Sequence, residues 1–303
     1  MASQSPAVSV IIPAYRSWDA LPRCLTALER QEGEIPFEII VVASGIADNT
    51  PPLTGRFPTV RFLVFAERKF PGIARNLGAS QARGEILLFV DADCALAPNG
   101  VQRVAASHRR HASPLIGGAI DQGEAANGVA WSHYFSSFSP WMPRRRQEPA
   151  VTNDVAAGCC SIKRWAFERF GPFSERRYCE DTLLSWRIGQ AGYPVLFDPG
   201  IQVRHNGIAT LACLLGRKFR HGRAFAGMRA QEKGWGLVRR LLQIAGAPLV
   251  PWLMLWRCGR KVFRAGVHRR RFLLVMPVTF AALLAWVAGE LCGLLSTAPP
   301  RPD

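Results

Sequence analysis

Two pairs of acidic residues stand out by their spacing. Asp91 and Asp93 flank a single alanine at the end of the apolar run Ile86–Val90. Carboxylates this close repel each other unless a cation is present. A hard divalent ion such as Mg²⁺ or Mn²⁺ is the natural one, because it binds through one or two carboxylates plus phosphates and water. The competing reading is a solvated turn that caps the next helix. Glu180 and Asp181 form the second pair, where a helical pattern begins. Free backbone amides and the helix dipole favour carboxylates there, so capping accounts for them as well as chemistry does. A carboxylate in a cleft also serves as a general base that takes the proton of an attacking hydroxyl. Neither pair decides the matter alone.

The elements that must hold these acids follow from hydrophobic patterning. Val8 to Ile12 and Phe37 to Val42 are short, β-branched runs bounded by Pro or turn residues, the mark of strands buried on both faces; Val60 to Phe65 reads as a third strand and Ile86 to Val90 as a further apolar one. Between them, Trp18 to Arg30 and Pro71 to Ala82 have helical spacing, the latter with Pro in its first turn and Gly84 as its stop. This alternation predicts an α/β layer fold with a mainly parallel sheet, which gathers ligands at the C-terminal ends of its strands. Residues 122–155 read as an insertion or mobile loop. Pattern returns as a strand in Ala156 to Ile162, helices at Arg164 to Phe170 and Glu180 to Ala191, and a strand at Tyr193 to Phe197.

The 303 residues carry a net charge of +16, very unevenly spread. From Leu211 to Arg271, Glu232 is the single acid among 15 Lys/Arg. Leu211 to Gln243 mixes those cations with Leu, Phe, Met and Trp, the composition of a helix lying in a lipid headgroup layer; a basic solvated helix packed on the domain is the equal alternative. Phe272 to Leu295 is an apolar run broken only by Glu290, long enough to span a bilayer, against the alternative of a buried soluble helix. Ile244 to Trp256 is shorter and contains Pro248 and Pro251. If it crossed, the following arginines would fall opposite the catalytic part, so it reads as re-entrant or interfacial. The expected organisation is a catalytic domain over residues 1–210, a membrane-associating region over 211–271 and a transmembrane helix with a short tail over 272–303. The eight cysteines show no metal-ligand spacing and read as reduced, mostly buried thiols. The N-terminus lacks a basic start and a signal-length apolar core, which predicts a cytoplasmic catalytic part; with the C-terminal segments, the expected location is a membrane, a bacterial inner membrane in particular.

The acids belong to an ordered series. It runs Val10-Ile-Ile-Pro-Ala-Tyr-Arg16, Glu38-Ile-Ile-Val-Val42, Gly72-Ile-Ala-Arg-Asn-Leu-Gly78 and Gly84-Glu-Ile-Leu-Leu-Phe-Val-Asp-Ala-Asp93. Ala157-Gly158, Phe170-Gly-Pro-Phe-Ser-Glu175, Glu180-Asp181-Thr-Leu-Leu-Ser-Trp-Arg187, Gly192-Tyr193 and Val203-Arg-His205 complete it. Over roughly residues 8 to 206 this series resembles the family-2 glycosyltransferases of the GT-A fold. The resemblance implies a Rossmann-like sheet and inverting transfer of a sugar from a nucleotide-diphospho-sugar, with a divalent cation, Mg²⁺ or Mn²⁺. It implies that Pro13, Ala14 and Tyr15 line the base and ribose with Ser44 beside them, that Arg75 lies near the nucleotide, and that Asp91 faces the ribose or the metal. Asp93 is then the metal ligand and Asp181 the base, supported by Glu180. His205 is either a contact to diphosphate or metal, or a satisfied loop histidine.

The chain departs from the family pattern in three places. Ala43-Ser44 stand where an Asp usually follows the second strand, which leaves the nucleotide base open, with Asp48 as a possible substitute. The Gln-x-x-Arg-Trp segment of processive synthases is missing, its nearest echo being Gln231-Glu-Lys-Gly-Trp235, which points to transfer of one sugar. Cys159-Cys160 occupy a region that faces the acceptor in relatives, and are read as small core residues. The basic and apolar C-terminal region points to membrane lipids and a lipid-linked or membrane-held acceptor, with no nucleic acid. The rival is a non-catalytic, membrane-bound binder of nucleotide-sugars. A dinucleotide oxidoreductase is disfavoured because Pro13-Ala-Tyr-Arg16 replaces the glycine-rich turn after the first strand.

Overall fold

The structure, a computed structural model, describes residues 5–45, 53–123, 127–145, 148–207 and 210–296. The elements in chain order are β1 (Val8–Tyr15), α1 (Leu21–Glu29), β2 (Phe37–Ser44), α2 (Leu53–Arg56), β3 (Val60–Phe65), α3 (Pro71–Gln81), β4 (Ile86–Val90), β5 (Cys94–Leu96), α4 (Gly100–Arg110), β6 (Leu115–Gln122), α5 (Gly128–Phe138), β7 (Ala150–Thr152), β8 (Cys159–Lys163), α6 (Arg164–Phe170), α7 (Glu180–Gln190) and β9 (Val195–His205). They continue as α8 (Leu211–Glu232), α9 (Leu237–Gly246), α10 (Val250–Ala265) and α11 (Arg269–Leu295). The chain divides into two compact units, Met1–Asp121 with Arg146–His205, and Gln122–Arg145 with Asn206–Asp303.

The first unit is a mixed α/β layer structure. Its sheet runs β3-β2-β1-β4-β8-β6-β9-β5, with β7 paired to β9. The strands β3, β2, β1 and β4 are parallel, joined through helices, and β1 pairs with both β2 and β4. Beyond β4 the pairing becomes antiparallel. The strand order reverses about β1 and β4, so the crevice at their C-terminal ends is the natural ligand site of such a sheet. Val10, Ile11, Ile12, Ile40, Val41, Leu88 and Phe89 are fully buried, as strands covered on both faces require. On α1 the Leu21, Cys24, Leu25 and Leu28 face is buried as its spacing predicts.

Three local expectations are corrected. Residues 122–155 are more than a loop: α5 forms there, capped by the Asn127 side chain accepting from the Ala130 N–H, and β7 follows. Trp131, Tyr134, Phe135 and Phe138 recur at helical spacing and supply its packing face. The strand expected to end at Phe197 continues to His205. Asp198 keeps it intact by accepting from the Gly200 N–H at 2.9 Å and the Ser107 hydroxyl at 2.6 Å. The 211–243 stretch breaks into α8 and α9 around Gly234, which has a positive φ of 58°.

The second unit is helical. Its core joins Tyr134 and Phe135 of α5 to Cys258 and Val262 of α10 and to Phe272 and Val275 of α11. The 27-residue α11 and the 29-residue stretch Leu237–Ala265 are long and apolar enough to cross a membrane.

Candidate active site

The Gly72–Gly78 segment explains itself residue by residue on α3. Pro71 starts the helix where its missing N–H costs nothing. A side chain at Gly72 would overlap the Ser174 carbonyl, so only glycine lets the first turn approach the 173–175 segment. Asn76 clamps the same segment by donating to the Phe173 carbonyl and accepting from the Phe173 N–H, both at 2.9 Å. At Gly78, α3 rests on Ile11 and Val42 of the sheet. These contacts fix the position of Arg75, which is 3% exposed.

Arg75 joins the two acidic pairs. Its Nη2 donates to Asp91 Oδ1 at 2.6 Å and its Nη1 donates to Glu180 Oε1 at 2.7 Å, so one buried guanidinium neutralises a carboxylate from each. Asp91 and Asp93 follow β4 directly, and their side chains remain 37% and 39% exposed. Glu180 and Asp181 open α7, whose preceding residue, Cys179, has a positive φ of 67°. Both acids lie in the first helical turn, so the capping environment and the chemistry coexist.

A second link runs through Ala157-Gly158, just before β8. The Ala157 N–H donates to Asp181 Oδ2 at 3.0 Å, and the Gly158 carbonyl accepts from the Asp91 N–H at 3.5 Å. A Cβ at Gly158 would lie 3.1 Å from Asp91 Oδ2, so the glycine keeps the carboxylate's flank clear. Asp181 Oδ1 also accepts from the Thr182 N–H at 2.8 Å. Cys159 and Cys160 are buried against β4.

His205 ends β9 and pairs with Cys94 of β5, which brings its Nε2 to 3.4 Å from Asp93 Oδ2. Asp93 and His205 thus face each other at this edge, while Asp91 is engaged by Arg75. No cluster of three His, Cys, Asp or Glu able to hold a metal exists among the described residues. An Mn²⁺ or Mg²⁺ ion held at this edge would need phosphate or water oxygens to complete its coordination.

The remaining expected residues lie along the C-terminal edge of the parallel strands. Pro13, Ala14 and Tyr15 end β1, and Tyr15 pairs with Ser44 at the end of β2. Arg68, which sequence reasoning missed, covers the Tyr15 ring at 4.4 Å. The Ser44 hydroxyl is buried with no hydrogen-bond partner among the described residues. Asp48 lies outside them.

Burial, reinforced by Asp181, pushes the Glu180 carboxyl up to about 7, although Arg75 pulls the other way. Glu180 thus changes charge close to neutral pH. The arrangement offers two part-exposed carboxylates at the end of β4, a buried arginine paired to Asp91 and Glu180, and a backbone-oriented carboxylate at Asp181.

Comparison with known proteins bears on the fold and the family. Glycosyltransferase AglE of Haloferax volcanii is 27% identical over 314 residues, covering 97% of this chain and 98% of the relative. The mannosyltransferase PcManGT from Pyrobaculum calidifontis, solved with GDP-Man and Mn²⁺, shares the fold at a TM-score of 0.60 and 18% identity, over 98% of this chain and 89% of that one. GalNAc-T7, solved with UDP, GalNAc and Mn²⁺, does so at 0.54 and 20% identity, over 67% of this chain and 44% of that one. The GT-A expectation is met. The profile described as "Glycosyl transferase family 2" matches residues 9–171, more than half of the sequence, and the chain therefore belongs to that glycosyltransferase family.

Proposed function

We propose that this glycosyltransferase moves one sugar, with inversion, from a nucleotide-diphospho-sugar to a lipid-linked or membrane-held acceptor at the cytoplasmic face of a membrane. The observation that carries the reaction class is the single guanidinium of Arg75 bridging Asp91 and Glu180, because it ties a cation-binding acid pair to a base-bearing one. In this reading Asp181 accepts the proton of the acceptor hydroxyl as the new C–O bond forms at the anomeric carbon. The bond to the diphosphate oxygen breaks on the opposite face. Ala157 holds the Asp181 carboxylate in place, and Glu180 and Arg75 fix the helix turn that carries it. Asp93 and His205, with Asp91, would hold the divalent ion. When bound, that ion offsets the charge that gathers on the leaving diphosphate. The GDP-Man and Mn²⁺ in one solved fold neighbour, and the UDP, GalNAc and Mn²⁺ in the other, support a similar donor here. Pro13, Ala14, Tyr15 and Ser44 border the nucleotide, with Arg68 over Tyr15.

The membrane-held acceptor rests on the two apolar helical stretches and on the basic composition around them. A test incubates the full chain with UDP-, GDP- and dTDP-sugars, membrane lipid extract and Mn²⁺ or Mg²⁺. The expected result is nucleoside diphosphate release coupled to a glycosylated lipid, abolished by excess chelator. Undiminished release in chelator would remove the metal. Binding of a donor without transfer under every condition would instead identify a non-catalytic nucleotide-sugar binder.

A further inference from the structure

Within the helical unit, α8 and α11 pack backbone to backbone. Gly222 lies against the Trp286 carbonyl, Gly289 against the Phe219 carbonyl and Gly293 against the Arg223 carbonyl. Along this contact α8 exposes Arg217, Arg220 and Arg223. Lys218 is buried and donates at 2.8 Å to the Ser136 carbonyl and the Ser137 hydroxyl. Trp286 lies about 22 Å along the helix from Arg271, at 1.5 Å per residue. Gly289 meets Phe219 and Gly293 meets Arg223, so α8 runs parallel to α11. If α11 crossed a bilayer from Arg271, α8 would begin at Leu211 about 15 Å in, near the middle of a hydrocarbon layer about 30 Å thick, and would carry Arg217 and Arg220 through its far part; a helix start and exposed guanidinium groups are both disfavoured there.

The apolar surface lies elsewhere in the unit. No residue of α9 is buried, and Leu237, Leu241 and Leu242 share its exposed face. On α10, Trp252 and Trp256 are 62% and 57% exposed, and Leu274 of α11 is 74% exposed. Of the large hydrophobic side chains exposed among the described residues, only Val64, Val151 and Trp165 lie in the catalytic unit. Arginines border the apolar face: Arg260 covers the Trp256 ring at 5.0 Å and Arg269 covers Phe263 at 5.6 Å.

We infer that this unit attaches in the plane of an anionic lipid surface. The Leu and Trp faces of α9 and α10 enter the headgroup and upper acyl region, the flanking arginines meet lipid phosphates, and α11 serves as the packing spine without crossing. Charge complementarity selects the occupant: the segment 211–271 holds 15 cationic residues against one acid, and an anionic membrane surface matches both the charge and the apolar face. A nucleic acid would meet the cations but leave the leucines and tryptophans exposed. This inference rests on the membrane-held reading above and specifies how the enzyme is held.

The test uses the full chain in membranes from expressing cells, with the exposed Cys213 and Cys292 replaced by serine. Arg270→Cys and Ser296→Cys are introduced singly near the two ends of α11. A membrane-impermeant maleimide is applied to sealed inside-out vesicles. In-plane attachment predicts that both positions label on the same face. Labelling on opposite faces overturns it while leaving the membrane-held acceptor intact, and recovery of the protein only in the soluble fraction overturns both. With purified protein, adding phosphatidylglycerol to phosphatidylcholine vesicles is expected to tighten binding about tenfold or more at moderate salt. The Leu241→Asp, Trp256→Asp double variant is expected to lose that gain; unchanged binding by a variant of unchanged circular dichroism contradicts the inference.

Discussion

Arg75 is a cation at 3% exposure with two carboxylate partners, so its removal strands negative charge in a poorly solvated place. Arg75→Met is expected to cost about 3–5 kcal/mol of unfolding free energy, the usual penalty for breaking a buried pair from one side. Urea titration would measure it. The loss should be larger at pH 8 than at pH 5, because Glu180, raised to about 7, takes up a proton at the lower pH and no longer needs the cation. The same shift sets a pH dependence in the intact protein. The folded carboxyl titrates near 7 and the unfolded one near its ordinary value of 4.5, so the folded state holds more protons between them. Its contribution is fully present below pH 4.5 and is lost as pH rises through 7. Glu180→Gln should flatten that part of a plot of urea midpoint against pH; an unchanged slope would show that another group titrates there. At this scale the acids were legible because their types and spacing are chemical. The Asn76 clamp on Phe173 and the Ala157 N–H on Asp181 were not, since backbone partners distant in sequence leave no side-chain signal.

Elements make the residues meet, and α3 does so by pressing its first turn against the segment that leads to α7. Gly72→Ala would drive a methyl into the Ser174 carbonyl. The expected outcome is a loss of about 1–3 kcal/mol, typical of overpacking, together with a lower kcat as the α7 turn carrying Asp181 shifts. Thermal unfolding and steady-state turnover would check both, and a variant of full stability and rate would contradict the packing account. The central parallel strands were readable because burial on both faces leaves uninterrupted apolar runs, as in Ile86–Val90; the edge strand Val60–Phe65, largely part-exposed, was readable from its β-branched and aromatic residues, and both begin and end where the pattern says. The second half of β9 was not, since Asp198-Pro199-Gly200 has turn chemistry, and the bond from the distant Ser107 hydroxyl to Asp198 leaves no local signal. For α5, glycines, prolines and arginines on either side obscured the Trp131, Tyr134, Phe135 and Phe138 periodicity.

For the whole molecule, the sequence separates a nearly balanced catalytic part from a strongly basic C-terminal region, and the structure joins that region to residues 122–145 in a helical unit whose core both supply. Its apolar stretches were legible from composition; their mutual packing was not, because hydropathy does not record which helix lies against which. Ligand linkage probes the catalytic unit inside the intact chain. A nucleoside diphosphate at a hundredfold excess over its Kd, with Mn²⁺, should stabilise the fold by about 2.7 kcal/mol. Asp93→Asn should lose most of this, and full stabilisation of that variant would remove Asp93 from the metal site. The most direct measurement of the central claim is the rate of nucleoside diphosphate release by Asp181→Asn at saturating donor, acceptor and Mn²⁺. The account predicts a fall of about 10²–10⁴-fold with donor affinity retained, as expected when only the proton acceptor is lost. Turnover at the wild-type rate would contradict it.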